Sequence, residues 1–346
     1  MAKRKHANIP IFIPHLGCPN NCVFCNQRSI SGHMSFDEST VPREIENALD
    51  SIAKMGGDID TEIAFFGGSF TGIDRSLMIS LLETAHSYIM DGRVNSIRLS
   101  TRPDYIDEEI LEILEKYGVR TIELGLQSMS EKVLLATKRG HGAEQAFEAC
   151  RLVKKHGFDL IGQMMIGLPS SDPSDELETA KKICELGADG ARVYPTVVFY
   201  ETELCKMAVD GAYTPLTNEE AVVRTKEVLK IFDEHGVPCI RVGLCASENL
   251  SSDSAVYGGA NHSAIGELAM GEVFYDKMCE LIEKIPDAGE KNILFYVAPG
   301  ATSKAVGQKR KNINRIKDKY FVKKHIKSVK ILEKIGLLGY NIKMEL

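Results

Sequence analysis

The run Ile9-Pro10-Ile11-Phe12-Ile13-Pro14-His15-Leu16-Gly17-Cys18-Pro19-Asn20-Asn21-Cys22-Val23-Phe24-Cys25 decides how the rest of the chain is read. Ile9 to Ile13 is apolar and predicts a strand. Gly17, Pro19, Asn20 and Asn21 carry turn chemistry, so Cys18, Cys22 and Cys25 fall on a tight loop at a strand end. Three thiols spaced C-x3-C-x2-C suit a metal centre with one open corner. A closed zinc site takes four ligands, and the next cysteine is Cys150. A [4Fe–4S] cluster ordinarily takes four as well; with three, one iron is left for another ligand. The alternatives are a zinc knuckle completed from a distance and a reduced-thiol loop that binds nothing.

From residue 40 onward helix and strand signals alternate. Strands are expected at Thr61–Phe66, Ser96–Ser100, Thr121–Leu126, Leu160–Ile166, Ala191–Val198 and Cys239–Gly243. Between them fall helical patterns. One starts at Thr40 with Pro42 in its first turn, one is capped by Asp107 and ended by Gly118, and one opens with a Thr217/Glu220 capping box. About six βα units in a row predict an α/β fold, a partial (β/α)6 TIM-like barrel with a small C-terminal α/β appendage. Sites in such folds lie at the C-terminal strand ends, where the cysteine loop falls. The expected division is a barrel over residues 1–245 and an appendage over 246–346, joined by a polar linker at 246–254.

Of the 346 residues 44% are hydrophobic, ordinary for a chain with a sizeable core. No apolar run reaches membrane-spanning length, and the basic start has no apolar segment behind it to make a signal peptide. Nine cysteines, scattered apart from the first three, are expected to be reduced thiols, which suits the cytoplasm. The net charge of −6 is unevenly spread: residues 301–346 carry 13 Lys and Arg against 3 Asp and Glu. Such asymmetry is a hint of a tail that faces nucleic acid or a membrane surface. Apolar residues interleave with the basic ones, which argues for a folded basic surface. Lys309, Arg310, Lys311 and Arg315 are its candidate RNA contacts.

The cysteine spacing resembles the signature of the radical S-adenosylmethionine superfamily. That resemblance implies a set of roles. The open iron would chelate the amino and carboxylate groups of S-adenosylmethionine, and one electron would release a 5′-deoxyadenosyl radical. Cys18, Cys22 and Cys25 would hold the cluster, with Phe24 among the cofactor contacts. Gly67, Gly68 and Ser69, after the second strand, resemble the superfamily's Gly-rich element that holds the methionine amino group. The stretch Gly125-Leu126-Gln127-Ser128 with Lys138-Arg139-Gly140-His141 resembles segments of the oxygen-independent coproporphyrinogen III oxidases and of the Elongator catalytic subunit. By that likeness Gln127 would lie beside the cofactor and Arg139 would pair with its carboxylate, a match of planar fork and carboxylate. Gln163, Ile166 and Gly167 would cradle the adenine. Tyr194-Pro195-Thr196 and Ser100-Thr101-Arg102-Pro103-Asp104 are similar to segments of the Elongator subunit.

Three departures stand out. Ser100 occupies the place of a glutamate that usually contacts the cofactor. The first two cysteines are closer together than in the Elongator subunit, and nothing after residue 245 resembles an acetyltransferase. The expected activity is therefore radical chemistry on tRNA or another RNA, fed by an electron donor such as flavodoxin or ferredoxin. The other readings are the same chemistry on a small porphyrinogen-like metabolite, or a non-catalytic metal-cluster protein that binds RNA. Cys205 and Cys245, near strand ends, are candidate relay thiols, with inert burial as the commoner fate of such residues.

Overall fold

The computed structural model describes residues 5–13, 15–19, 22–26, 36–244, 255–287 and 289–346. In chain order the barrel part comprises β1 (Lys5–Phe12), α1 (Val41–Met55), β2 (Ile59–Phe66), α2 (Arg75–Met90), β3 (Ser96–Thr101), α3 (Glu108–Lys116), β4 (Val119–Gln127), α4 (Glu131–Ala136), α5 (Ala143–Lys155), β5 (Asp159–Ile166), α6 (Pro173–Glu185), β6 (Gly190–Pro195), β7 (Val197–Phe199), α7 (Glu203–Val209), α8 (Asn218–Glu234) and β8 (Cys239–Val242). Among the described residues β1, β2, β3, β4, β5, β6 and β8 form one parallel sheet in that order. It curls into a half-barrel, as the alternating pattern predicts.

Period-two alternation sorts each strand into two faces. Ile63 and Phe65, Ile97 and Leu99, and Ile122 and Leu124 are fully buried beneath the helices. Burying a side chain of this size contributes roughly 1.5–3 kcal/mol, so this face carries the fold. The intervening residues Glu62, Arg98, Ser100, Glu123, Gln163 and Arg192 are polar and bond to one another across the concave face. A parallel strand buried on both faces is ordinarily apolar throughout. The departure makes the concave face a candidate site.

Several helix starts match the expected chemistry. Asp107 accepts from Ile110 N at 2.8 Å, and Thr217 with Glu220 forms the capping box. Thr40 does not cap through its side chain, which bonds Asp37 O and Glu44 instead. Helix α6 opens with a capping box made by Asp172 and Asp175 around Pro173. The strand expected over 191–198 divides. Thr196 turns to bond Ile166 O through both its N–H and its hydroxyl, and β7 leaves to pair antiparallel with β9 (Val256–Gly259).

The C-terminal part adds α9 (Ile265–Glu283), β10 (Lys291–Val297), α10 (Thr302–Val306), α11 (Lys311–Tyr320), β11 (Ile326–Glu333) and β12 (Lys343–Glu345). A three-stranded sheet, β11-β10-β12, packs one face on α9 and α11 through Phe274, Met278, Phe295, Ile316 and Tyr320. Helix α9 also serves the barrel: its Ile265, Ala269 and Val273 pack on Ala221, Val222 and Leu229 of α8. The linker expected at 246–254 lies outside the described residues.

Candidate cofactor site

The cysteine loop leaves β1 at the C-terminal edge of the sheet and is sewn to the loop after β2. Ile13 N donates to Phe66 O at 2.8 Å, His15 N to Gly67 O at 3.0 Å, and Ser69 N to Leu16 O at 2.9 Å. The glycines make this approach possible. A Cβ on Gly17 (φ 71°) would stand 2.1 Å from Ser69 O, and one on Gly68 would stand 2.4 Å from Leu16 O. Gly17 and Gly68 thus let the two loop backbones meet. Farther along, Val23 N donates to Thr137 O at 3.2 Å and Leu204 N to Val23 O at 2.8 Å. Cys22 is buried, and Cys18 and Cys25 are half-buried. Among the described residues no group of three or more His, Cys, Asp or Glu is arranged to hold a metal ion, so the three thiols share a loop without forming a cage.

Two arginines close on Cys22. Arg139, at the end of the segment after α4, donates from Nη1 to Cys22 Sγ at 3.2 Å and from Nη2 to Gly125 O at 2.5 Å. Arg102, after β3, is held by Asp104 at 2.9 and 2.8 Å, reaches Arg139 O, and lies 4.0 Å from Cys22 Sγ. Both arginines are buried. For Cys18 burial pushes the thiol up, and Arg102 partly opposes it.

Gln127 joins this group. It takes a positive φ of 66° at a register break in β4, a conformation uncommon for a residue with a side chain and one that collects at functional sites. Measured from the Cβ position of Gly125, Gln127 Nε2 lies at 3.1 Å and Arg139 Nη2 at 3.4 Å. His141 is buried beside them. Burial, and then Arg139, lower its pKa to about 4. Its Nδ1 lies 3.3 Å from Gly142 O, a bond that makes Nδ1 the donor and Nε2 an acceptor.

Ser69 is fully buried in a hydroxyl network, 2.9 Å from Thr101 Oγ1 and accepting from Arg102 N. Gly167 donates to Glu176 at 2.6 Å and accepts from Tyr213 OH at 2.6 Å, so its main-chain polar groups are engaged within the protein. The side chain of Ile166 belongs to the helix-side core and its carbonyl accepts from Thr196. Phe24 packs beside Val23, Val198 and Leu204, and Cys205 is buried in the same cluster. Cys245 lies outside the described residues.

Ser100 and Gln163 sit on the concave face around Glu123. Gln163 Nε2 donates to Glu123 Oε2 at 2.9 Å and to Ser100 Oγ at 3.3 Å. Arg192 and Arg98 pair with the other carboxylate oxygen at 2.7 and 3.0 Å. Sequence reasoning alone does not single out Glu123, Arg98, Arg102 or His141. Glu123 carries a readable signal, an acid in the middle of an otherwise apolar parallel strand. In the C-terminal part Lys309, Arg310 and Lys311 are exposed, and Lys311 lies 3.2 Å from Glu272. Arg315 pairs with Glu272 at 2.7 Å and stacks 3.5 Å over Tyr275.

Comparison with known proteins fits this arrangement. The chain is 28% identical over 230 residues to an uncharacterized protein of Methanocaldococcus jannaschii, covering 64% of this chain and 70% of that one. It is 34% identical over 133 residues to the tRNA uridine(34) acetyltransferase of the same organism, covering 38% of this chain and 25% of the relative. The chain thus spans about a quarter of that acetyltransferase's length. Among solved structures, the archaeal Methanocaldococcus infernus Elp3 with an N-terminal deletion shares the fold, with a TM-score of 0.61, 20% identity, and coverage of 80% of this chain and 63% of that one. The family model described as the Radical SAM superfamily matches residues 12–183, and the one described as the Radical_SAM C-terminal domain matches residues 188–273. Since these two matches run nearly end to end from the first strand into α9, the chain belongs to the radical S-adenosylmethionine superfamily and is an enzyme with a [4Fe–4S] cluster and S-adenosylmethionine as cofactors.

Proposed function

We propose that this enzyme modifies RNA, with tRNA as the substrate class, and that Cys18, Cys22 and Cys25 hold the cluster while Arg139, Gln127 and His141 orient S-adenosylmethionine. The residues beside the cysteine loop fit S-adenosylmethionine. Among the described residues Gln127 Oε1 and His141 Nε2 are buried acceptors without a hydrogen-bond partner, and leaving such an atom unmet costs about 1–3 kcal/mol. Beside them stands a guanidinium. Acceptors for an ammonium next to a fork for a carboxylate match the amino-acid end of the cofactor. When bound, the two cofactors supply one-electron chemistry that generates a radical able to take hydrogen from an unreactive carbon.

The chain's own residues then have three tasks. Arg139 and Arg102 keep positive charge against the sulfur of Cys22. The helix-side core and the paired glycine loops fix the cysteine loop against the sheet edge, so the site is set by rigid elements. The concave face presents Glu123, Gln163 and Arg192, which suit hydrogen bonding to a polar heterocycle. A base must leave its stack to reach such a depth, which favours a loop nucleotide.

The RNA reading is carried by one observation. The exposed cations Lys309, Arg310 and Lys311 stand on a folded C-terminal unit whose charge opposes that of the acidic remainder. The likeness to a tRNA uridine(34) acetyltransferase points the same way. Mass spectrometry of tRNA nucleosides from a strain lacking the protein tests it. Loss of one modified nucleoside, restored by the wild-type chain and not by Cys22→Ala, is expected. An unchanged nucleoside profile would favour a small metabolite as substrate.

A further inference from the structure

The sheet of the C-terminal unit has two faces, and among the described residues only one is covered by helices. Along β10, Ile293, Phe295 and Val297 point into the core. Asn292, Leu294 and Tyr296 alternate with them and are exposed or half-exposed, Tyr296 keeping part of its side chain against the same core. The register places Ser328, Lys330 and Leu332 of β11 beside them on one side. Glu345 and Lys343 of β12 lie beside Leu294 and Tyr296 on the other. Ser328 donates to Asn292 Oδ1 at 2.7 Å across this face, so the two strands present the same side. Leu332 is 49% exposed. An open face with an aromatic on its central strand and lysines on both flanking strands is not what a solvated sheet edge needs.

Tyr296 is the centre of this face. Lys334 Nζ stands 4.6 Å over its ring, and its hydroxyl donates to Glu345 at 3.0 Å, which fixes the ring's orientation. Glu345 also lies 3.9 Å from Lys334. It is the one carboxylate among these residues, set against the amines of Lys330, Lys334 and Lys343.

We propose that this sheet face is a single-stranded RNA platform on which Tyr296 stacks a base while Lys330 and Lys343 meet the flanking phosphates. Every base has a π-face, so a ring held on a sheet binds single strands without reading sequence. Sheet-borne aromatics flanked by polar and basic residues are a recurrent way of holding splayed bases. Net positive charge on this unit and net negative charge on the barrel favour a polyanion here over an acidic protein surface. The role given to the platform is to hold a loop strand while another nucleotide enters the half-barrel, and so it rests on the RNA reading above. Its residues are other than Lys309, Arg310 and Lys311.

The test is fluorescence anisotropy of the full chain with a short oligouridylate and with a blunt RNA duplex of equal length, over a salt series. The wild type should prefer the single strand. Tyr296→Ala should weaken oligouridylate binding by about tenfold at every salt concentration, leaving the salt slope unchanged. Tyr296→Phe should bind like the wild type, since the ring remains. Lys330→Ala with Lys343→Ala should reduce the log–log salt slope by about 1.4, roughly 0.7 for each phosphate no longer neutralised. If these variants bind as the wild type does while Lys309→Ala/Arg310→Ala/Lys311→Ala loses affinity, the platform is refuted and the RNA reading stands. If the wild type binds neither probe nor tRNA at low salt, both are overturned.

Discussion

The guanidinium of Arg139 donates to the sulfur of Cys22 at 3.2 Å. The two residues are 117 apart in the chain, and they meet because the loop after β1 and the segment after α4 cross at the same end of the sheet. The contact ties the thiol loop to the residue that the carboxylate of S-adenosylmethionine is expected to engage.

Replacing Arg139 by Ala should therefore weaken S-adenosylmethionine binding by about 1.5–3 kcal/mol, the range for removing a charge-assisted hydrogen bond. Arg139→Lys should recover little of this, because a point charge does not reproduce the fork. Calorimetry on anaerobically reconstituted protein checks it. Unchanged affinity in Arg139→Ala would remove this residue from the cofactor's contacts.

Glu123 is fully buried and faces Arg98 and Arg192 at once. Removing one partner of a buried pair leaves the other charge uncompensated and costs about 3–5 kcal/mol. Glu123→Ala should lose stability on that scale in urea unfolding, and Glu123→Gln should lose less because it still hydrogen-bonds. A change below about 1 kcal/mol in Glu123→Ala would mean that solvent compensates these arginines.

Glu62 gives the acid limb of stability a specific source. Burial alone would raise its carboxyl, but Arg98, the hydrogen bonds from Ser96 and Arg98, and Arg120 together hold it below the ordinary value of 4.5. A depressed carboxylate contributes stability that is complete above its unfolded pKa and fades as pH falls through the folded one. The protein should therefore lose stability below pH 4.5. Glu62→Gln should be less stable at neutral pH and lose less on acidification, as read from thermal midpoints across pH. A parallel loss in both proteins would assign the acid limb to other carboxylates.

Lys309, Arg310 and Lys311 are exposed at the start of α11. If about four cations of this unit engage tRNA, the log–log slope of affinity against salt should be near −3, at roughly −0.7 per phosphate. The triple Ala variant should bind more weakly at low salt with a slope shallower by about 2. Equal slopes in variant and wild type would place the phosphate contacts elsewhere.

The half-barrel is legible in the sequence because it rests on period-two strands and capped helices, both local signals. Asp107 and the Thr217/Glu220 box mark helix starts that local chemistry fixes. The split at Thr196 is not local. It depends on Ile166 O, thirty residues away, accepting two bonds, and on β9 being there to pair with β7. The site is partly legible for the same reason. Cys18, Cys22, Cys25, Gln127 and Arg139 sit at readable positions, and Cys22, Gln127 and Arg139 do converge. Ser69, Ile166 and Gly167 share the motif positions, yet buried protein partners engage the hydroxyl of Ser69, the carbonyl of Ile166 and the main chain of Gly167. Which partner occupies a hydroxyl or a carbonyl is a tertiary fact that spacing does not contain. Glu123 shows the converse, a residue whose importance comes from facing two arginines on neighbouring strands.

The most direct test of the cofactor assignment is the metal content of anaerobically reconstituted protein. About four irons per chain are expected in the wild type, with loss of that iron in Cys18→Ala, Cys22→Ala and Cys25→Ala alike. A stoichiometric zinc with no iron in the wild type would contradict it.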